Sequence, residues 1–333
     1  MTFSDIIGQD ELVWHLQNAL ASQKISHAYM IEGERHAGKM MLAEAFAASL
    51  LCEKKGVEPC GQCLSCRQAN SHNNPDIRYV IHERPNLISV DEIRTQVNRD
   101  VYMRPYAGTH KVYIIDEAEK MNEAAQNALL KTIEEPPDYV VILLLSANAE
   151  SFLDTIRSRC VILPLRPVPD EKIRAHLMLK LGIPDYRADV AAAFAQGNVG
   201  KAELIAADEE FNELRADAVG ILNRLKSVPS YEMMEEVEEI EKKYKSRAEE
   251  YLDLLVFWFR DVLLYKSVGE QAKLIYRDDI YLAQIKRYAN TLDYANINEI
   301  FAALDEARRR YSANVSFRLV MELLFLTIKE NCR

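Results

Sequence analysis

The sequence predicts an α/β domain whose parallel sheet is covered by helices on both faces, followed by a long all-helical region. Three observations predict it. Five short apolar runs recur in the first half, at 27–31, 77–81, 112–115, 140–146 and 161–165. Near-continuous hydrophobic runs of that length suit strands buried on both faces of a parallel sheet, and helix-like stretches lie between them. Chain breakers are also unevenly placed. Of 11 Gly and 11 Pro, only Gly220, Pro229 and Gly269 fall in the last 133 residues, so long helices are expected there.

The first apolar run, HAYMI at 27–31, is followed by Gly33-Glu34-Arg35-His36-Ala37-Gly38-Lys39-Met40 and a helical run over 41–51. This is G-x-x-x-x-G-K between a strand and a helix, the phosphate-loop arrangement. Gly33 and Gly38 let backbone N–H groups close on phosphate oxygens, the helix N-terminus faces the anion, and Lys39 reaches the terminal phosphates. The position after the lysine departs from the pattern. A Ser or Thr hydroxyl ligates Mg²⁺ there, and the Met40 thioether does not. The alternative reading is an ordinary strand–turn–helix, and the motif alone does not establish that nucleotide is bound.

The next element is a cysteine cluster. Cys52, Cys60, Cys63 and Cys66 form C-x7-C-x2-C-x2-C, with Gly56, Pro59 and Gly61 supplying turns. Two-residue spacings bring successive thiolates onto one metal, and four thiolates make a closed, structural Zn²⁺ site. An iron–sulfur cluster is the runner-up, although the C-P that usually follows is absent.

The KVYIIDE segment at 111–117 reads as a buried strand with Asp116 and Glu117 at its C-terminal end. Paired with an upstream phosphate loop, it is a Walker B pattern: the Asp holds Mg²⁺ and the Glu activates the attacking water. Two acids at a strand end are otherwise ordinary helix-cap chemistry. Asn122 can cap a helix over 123–135, which Pro136-Pro137 stops. Beyond 170 the register turns helical, with helices expected at 171–181 and 189–195 and a turn at 197–200. The stripe Val237, Ile240, Tyr244, Leu252, Leu255, Val256, Phe259, Val262 and Leu263 has mostly helical spacing. Such a stripe is core packing or an interface, and Trp258 and Phe259 suit either.

The net charge is −10, and residues 203–250 carry much of the excess, with 14 Asp/Glu against 7 Lys/Arg. This argues against a lone duplex-DNA binder. The opening residues include Asp5 and Asp10 and do not form a charged-then-apolar leader, and no apolar run is long enough to span a bilayer. A cytoplasmic chain without membrane contact is expected.

Several segments together resemble one family. They are Ile6-Ile7-Gly8-Gln9 near the start, Asp116-Glu117-Ala118, the run ALLKTIEEPP at 128–137, and Ser158-Arg159-Cys160. The chain resembles the AAA+ clamp-loader subunits of DNA replication, relatives of replication factor C. The cysteine module after the phosphate-loop helix is similar to that of the bacterial members. The resemblance implies an AAA+ domain at 1–166 with the zinc module at 52–66, a helical lid at 167–207, and a helical oligomerisation collar at 208–333. It implies that Arg159 is an arginine finger given in trans to the nucleotide of a neighbouring subunit. It also places a sensor arginine where this chain has Gly200. With Met40 and Gly200 both departing from the hydrolysing pattern and Arg159 present, the chain resembles the delta-prime branch. That implies weak or absent hydrolysis of its own ATP, and it leaves two alternatives for the loop, with ATP or ADP bound or without. The implied partners are the gamma/tau ATPase subunits and the delta subunit, and through the complex the sliding clamp and primed DNA. The alternatives are an active gamma/tau-type ATPase, favoured by Lys39, Asp116 and Glu117, and a zinc-bearing scaffold outside replication.

Overall fold

A computed structural model describes residues 2–225 and 229–332. The chain forms two compact units, Met1–Leu204 and Ile205–Arg333. The first opens with helix α1 (Asp10–Ser22), strand β1 (Ala28–Glu32), helices α2 (Lys39–Leu50) and α3 (Leu64–Asn70), and strand β2 (Ile77–Val80). Helix α4 (Val90–Ile93) runs on into a wider π turn. Strand β3 (Lys111–Ile115), helix α5 (Glu123–Glu134), strand β4 (Val140–Ser146), helix α6 (Asp154–Arg157) and strand β5 (Val161–Pro164) complete the sheet region. The strand order is β2-β3-β4-β1-β5, and every pairing is parallel.

Alternation along each strand divides the core into two layers. Tyr29 and Ile31 join Phe46 and Leu42 of α2, while Ala28 and Met30 join Leu129 and Ile133 of α5. The three middle strands are buried nearly throughout, as the apolar runs predict. The outer strands β2 and β5 are not, and Arg78 and Ile162 are exposed. Each is an edge strand, with a neighbour on one side only.

Three helices follow: α7 (Asp170–Leu181), α8 (Asp185–Ala195) and α9 (Val199–Ala207). Helix α8 begins four residues before the sequence expectation, directly after Pro184, whose fixed φ suits a helix entry. The division between the two units falls inside α9, after Leu204, so α7 and α8 group with the sheet.

The second unit contains α10 (Phe211–Leu225), α11 (Ser230–Tyr244), α12 (Ala248–Val268), α13 (Asp279–Thr291), α14 (Tyr294–Ser312) and α15 (Phe317–Asn331). Trp258 and Phe259 are fully buried, so both serve this unit's own core. The Trp258 ring meets Tyr276 and Tyr288 edge-on, at centroid distances of 5.3 and 6.0 Å. Beside them the buried Asp261 carboxylate accepts from the backbone N–H groups of Ile275 and Tyr276 at 2.7 and 2.8 Å. Among the described residues, no helix is long and apolar enough to cross a membrane.

Candidate functional site

The phosphate loop connects the C-terminal end of β1 to the N-terminus of α2, where a parallel sheet presents ligands. Gly38 takes φ +97°, a left-handed conformation that glycine adopts without a Cβ penalty. The Lys39 ammonium folds back onto the loop. It donates to the carbonyls of Gly33 and Glu34 at 2.7 and 2.8 Å. Burial draws its pKa below the ordinary lysine value, opposed by the charges of Asp116, Glu119 and Glu117. Loop and acids share a cavity of about 880 Å³, also lined by Met40, Ile6, Ile7 and Gln9. Gln9 is pinned from both ends of its amide, donating to the Arg166 carbonyl at 2.7 Å and accepting from the Arg166 N–H at 3.0 Å.

Asp116 and Glu117 follow the end of β3 and line the same cavity with different partners. Asp116 is exposed, and its carboxylate accepts from the Glu117 N–H at 2.9 Å. Glu117 takes a left-handed backbone conformation, and its carboxylate pairs with the Lys120 ammonium at 2.5 Å. That ammonium holds the Glu117 carboxyl below the usual glutamate range. His82, just past β2, lies 3.6 Å from the same carboxylate. A glutamate held by a lysine is a poorer base than a free one.

The start of α9 packs against this loop. The Asn198 amide donates to the Arg35 carbonyl at 2.8 Å, and its oxygen caps α9 by accepting from the Lys201 N–H at 3.0 Å. A Cβ added at Gly200 would stand 2.4 Å from the His36 carbonyl oxygen, so the loop backbone occupies the space any side chain there needs. His176 of α7 and Glu203 of α9 meet at 2.7 Å on the lid side of the cavity.

Arg159 lies elsewhere. It sits just before Val161, and Val161 pairs with Tyr29 near the start of β1, whereas the phosphate loop leaves the other end. The sheet therefore separates them by roughly four residues of strand, or about 13 Å. The guanidinium is partly exposed, pairs with Glu134 at 3.1 Å, and donates to the Thr155 carbonyl at 2.9 Å. Glu134 belongs to the ALLKTIEEPP run, so two segments singled out from sequence meet here. Neighbouring Cys160 is different: burial pushes its thiol up to about 12.

The four cysteine sulfurs of the insertion lie within 4.8 Å of one another. Cys60 and Cys66 Sγ are 3.9 Å apart, close to the roughly 3.8 Å expected between thiolates on a tetrahedral zinc. The N–H of Cys63 points at Cys60 Sγ and that of Cys66 at Cys63 Sγ, each at 3.4 Å. Such donors stabilise thiolate charge. The N–H groups of Cys63 and Gln62 draw the Cys60 thiol down to about 6, while burial pushes Cys66 up to about 12. An all-sulfur donor set of this shape fits zinc, which binds as thiolates and releases the protons.

Sequence reasoning singled out the loop, the acids, Arg159 and the cysteines as candidates. It missed Asn198 as the lid's tie to the loop, Lys120 as the partner of Glu117, and Asp76. The Asp76 carboxylate accepts from the N–H groups of Tyr106, Ala107 and Gly108, fixing the turn before β3. Asn before a helix was a visible capping signal. The contacts across the fold left no local trace.

The chain is similar to known proteins over most of its length. A family model described as DNA polymerase III, delta subunit matches residues 8–169. The chain is 32% identical over 320 residues to the DNA polymerase III subunit delta' of Bacillus subtilis, covering 95% of this chain and 94% of that one. It is 30% identical over 289 residues to the DNA polymerase III subunit tau of the same organism, covering 80% of this chain and 50% of that longer protein. A DNA polymerase III gamma subunit-related protein from Thermotoga maritima has the same fold, with a TM-score of 0.51 at 20% identity over 97% of this chain and all of that one.

Proposed function

We propose a function from one premise: this chain belongs to the family of DNA polymerase III clamp-loader subunits. It acts as the delta-prime-type member, assembling with gamma/tau ATPase subunits and a delta subunit to place a sliding clamp on primed DNA in the cytoplasm. Its own pocket is a weak or inactive ATPase, and Arg159 completes the site of a neighbour. Zinc on Cys52, Cys60, Cys63 and Cys66 holds the inserted module, and any ATP or ADP in the pocket is a static ligand.

The observation that carries this reading is the placement of Arg159. It is partly exposed, at the end of the sheet away from its own phosphate loop. A partly exposed guanidinium fork suits phosphate oxygens on another subunit, in exchange for its surface partner Glu134. The pocket supports the other half. Met40 supplies no hydroxyl for Mg²⁺, Gly200 leaves no room for a sensor arginine, and Glu117 is held by Lys120. The second reading, a gamma/tau-type ATPase, draws on Lys39, Asp116 and Glu117 lining one cavity.

The test is turnover and loading. The isolated chain should hydrolyse ATP negligibly, and adding it to gamma/tau and delta subunits should enable clamp loading. Brisk hydrolysis by the isolated chain that is lost in Lys39→Ala would select the second reading instead.

A further inference from the structure

Glu58 lies in the loop between Cys52 and Cys60. It is half-buried, and its two carboxylate oxygens accept from different elements. Oε2 takes the backbone N–H of Phe3 at 3.0 Å, and Oε1 takes the side-chain amide of Gln17 on α1 at 2.8 Å. Phe3 is buried in the core layer that contains Leu42 and Phe46 of the phosphate-loop helix. A few residues on, Asp5, Ile6, Ile7 and Gln9 line the phosphate cavity. That wall is therefore held at two points: Glu58 at its start, and the Gln9–Arg166 pair at its end.

Both ends of the Glu58 loop are cysteines of the cluster. Cys52 directly follows the last turn of α2, whose first residue is Lys39. The far side of the module is tied to α2 as well. His72, just after α3, lies 3.1 Å from Glu44 of α2 and from the Tyr79 hydroxyl, which itself donates to Glu44 at 3.0 Å. A short loop tied at both ends carries little residual freedom, whereas the same loop with loose ends must be ordered against its own entropy. Only an ordered loop keeps the Glu58 carboxylate on two partners at once.

We propose that Glu58 is a positioning residue that couples the cysteine metal centre to the phosphate cavity. Metal on the cysteines fixes the loop, the loop presents Glu58, and Glu58 holds Phe3 and Gln17 so that residues 3–9 form the cavity wall. This rests on reading the cysteines as a metal site.

Hydrogen–deuterium exchange on the full chain tests the coupling, with zinc content measured alongside. The states are zinc-loaded parent, chelator-treated parent, and zinc-loaded Glu58→Ala and Glu58→Gln. In Glu58→Ala the zinc should remain and residues 60–70 should stay protected, while residues 3–9 exchange roughly tenfold faster or more, the loss expected for a charged acceptor. Glu58→Gln, which keeps an acceptor, should recover part of the protection. Chelation should release residues 60–70 and 3–9 together. The proposal is overturned if Glu58→Ala leaves residues 3–9 as protected as in the parent. It is also overturned if chelation exposes 60–70 while 3–9 stay closed. A purified chain that takes up no zinc would overturn the metal reading, and the coupling with it, whatever Glu58→Ala does.

Discussion

The phosphate cavity and the Arg159 corner sit at opposite ends of one sheet and are built in opposite ways. In the cavity, the lysine and the glutamate that could act on phosphate are both engaged within the chain. Lys39 is bound to two loop carbonyls, Glu117 to Lys120, and the loop backbone to the lid through Asn198 and Gly200. At the corner, the partly exposed Arg159 guanidinium meets the Glu134 carboxylate, the Thr155 carbonyl and the Ser158 hydroxyl, all at the surface. The cavity resembles a closed joint, and the corner a group presented outward. The difference teaches that one parallel sheet can carry a tightly tied loop at one end and a partly exposed guanidinium at the other.

The largest expected effect that would sharpen this contrast is at Gly200. Gly200→Arg places a side chain against the His36 carbonyl, so it should lower stability by about 1–3 kcal/mol and bring no ATPase activity. Thermal unfolding and a turnover assay check both. A stable variant that gains turnover would break the picture of a closed joint. At the corner, Glu134→Ala removes a partly exposed ion pair worth about 0–1 kcal/mol. The fold should be unaffected, and the ATPase of the assembled complex should change by less than roughly fivefold. A collapse of activity there would make Glu134 part of the presented group. The smallest effect is at Met40. Met40→Thr restores a hydroxyl for Mg²⁺ but leaves the lid and Lys120 in place, so turnover by the isolated chain should stay within about twofold of the parent.

Much of this contrast was legible in the sequence, and particular residues show where legibility ended. The three inner strands were readable because burial on both faces makes 28–32, 111–115 and 140–146 nearly continuous in apolar residues. The cysteine cluster was readable because four cysteines at short spacings make the local pattern that a tetrahedral metal site uses. Trp258 was ambiguous because a helical stripe looks the same facing a core or a partner, and only its burial resolves it. Glu58 and Asn198 were illegible as ties. Glu58 meets residues 55 and 41 positions away, and Asn198 meets one 163 positions away. Distances of that kind follow from the fold and not from any local pattern. Gly200 lay between these cases. Its departure from the resemblance was visible, but the reason no side chain fits there is the loop carbonyl packed against it.

The most direct test of the central claim compares two substitutions in the same reconstituted complex of this chain with gamma/tau and delta subunits. Assembly is checked by size-exclusion chromatography and ATPase rate is the readout. Arg159→Ala should leave the complex intact and lower its ATPase, with the neighbour's site losing on the order of a hundredfold or more. Lys39→Ala should leave both assembly and rate close to those of the parent complex. The opposite pattern, with Lys39→Ala abolishing activity while Arg159→Ala leaves it unchanged, would contradict the claim that this chain's chemistry faces its neighbour.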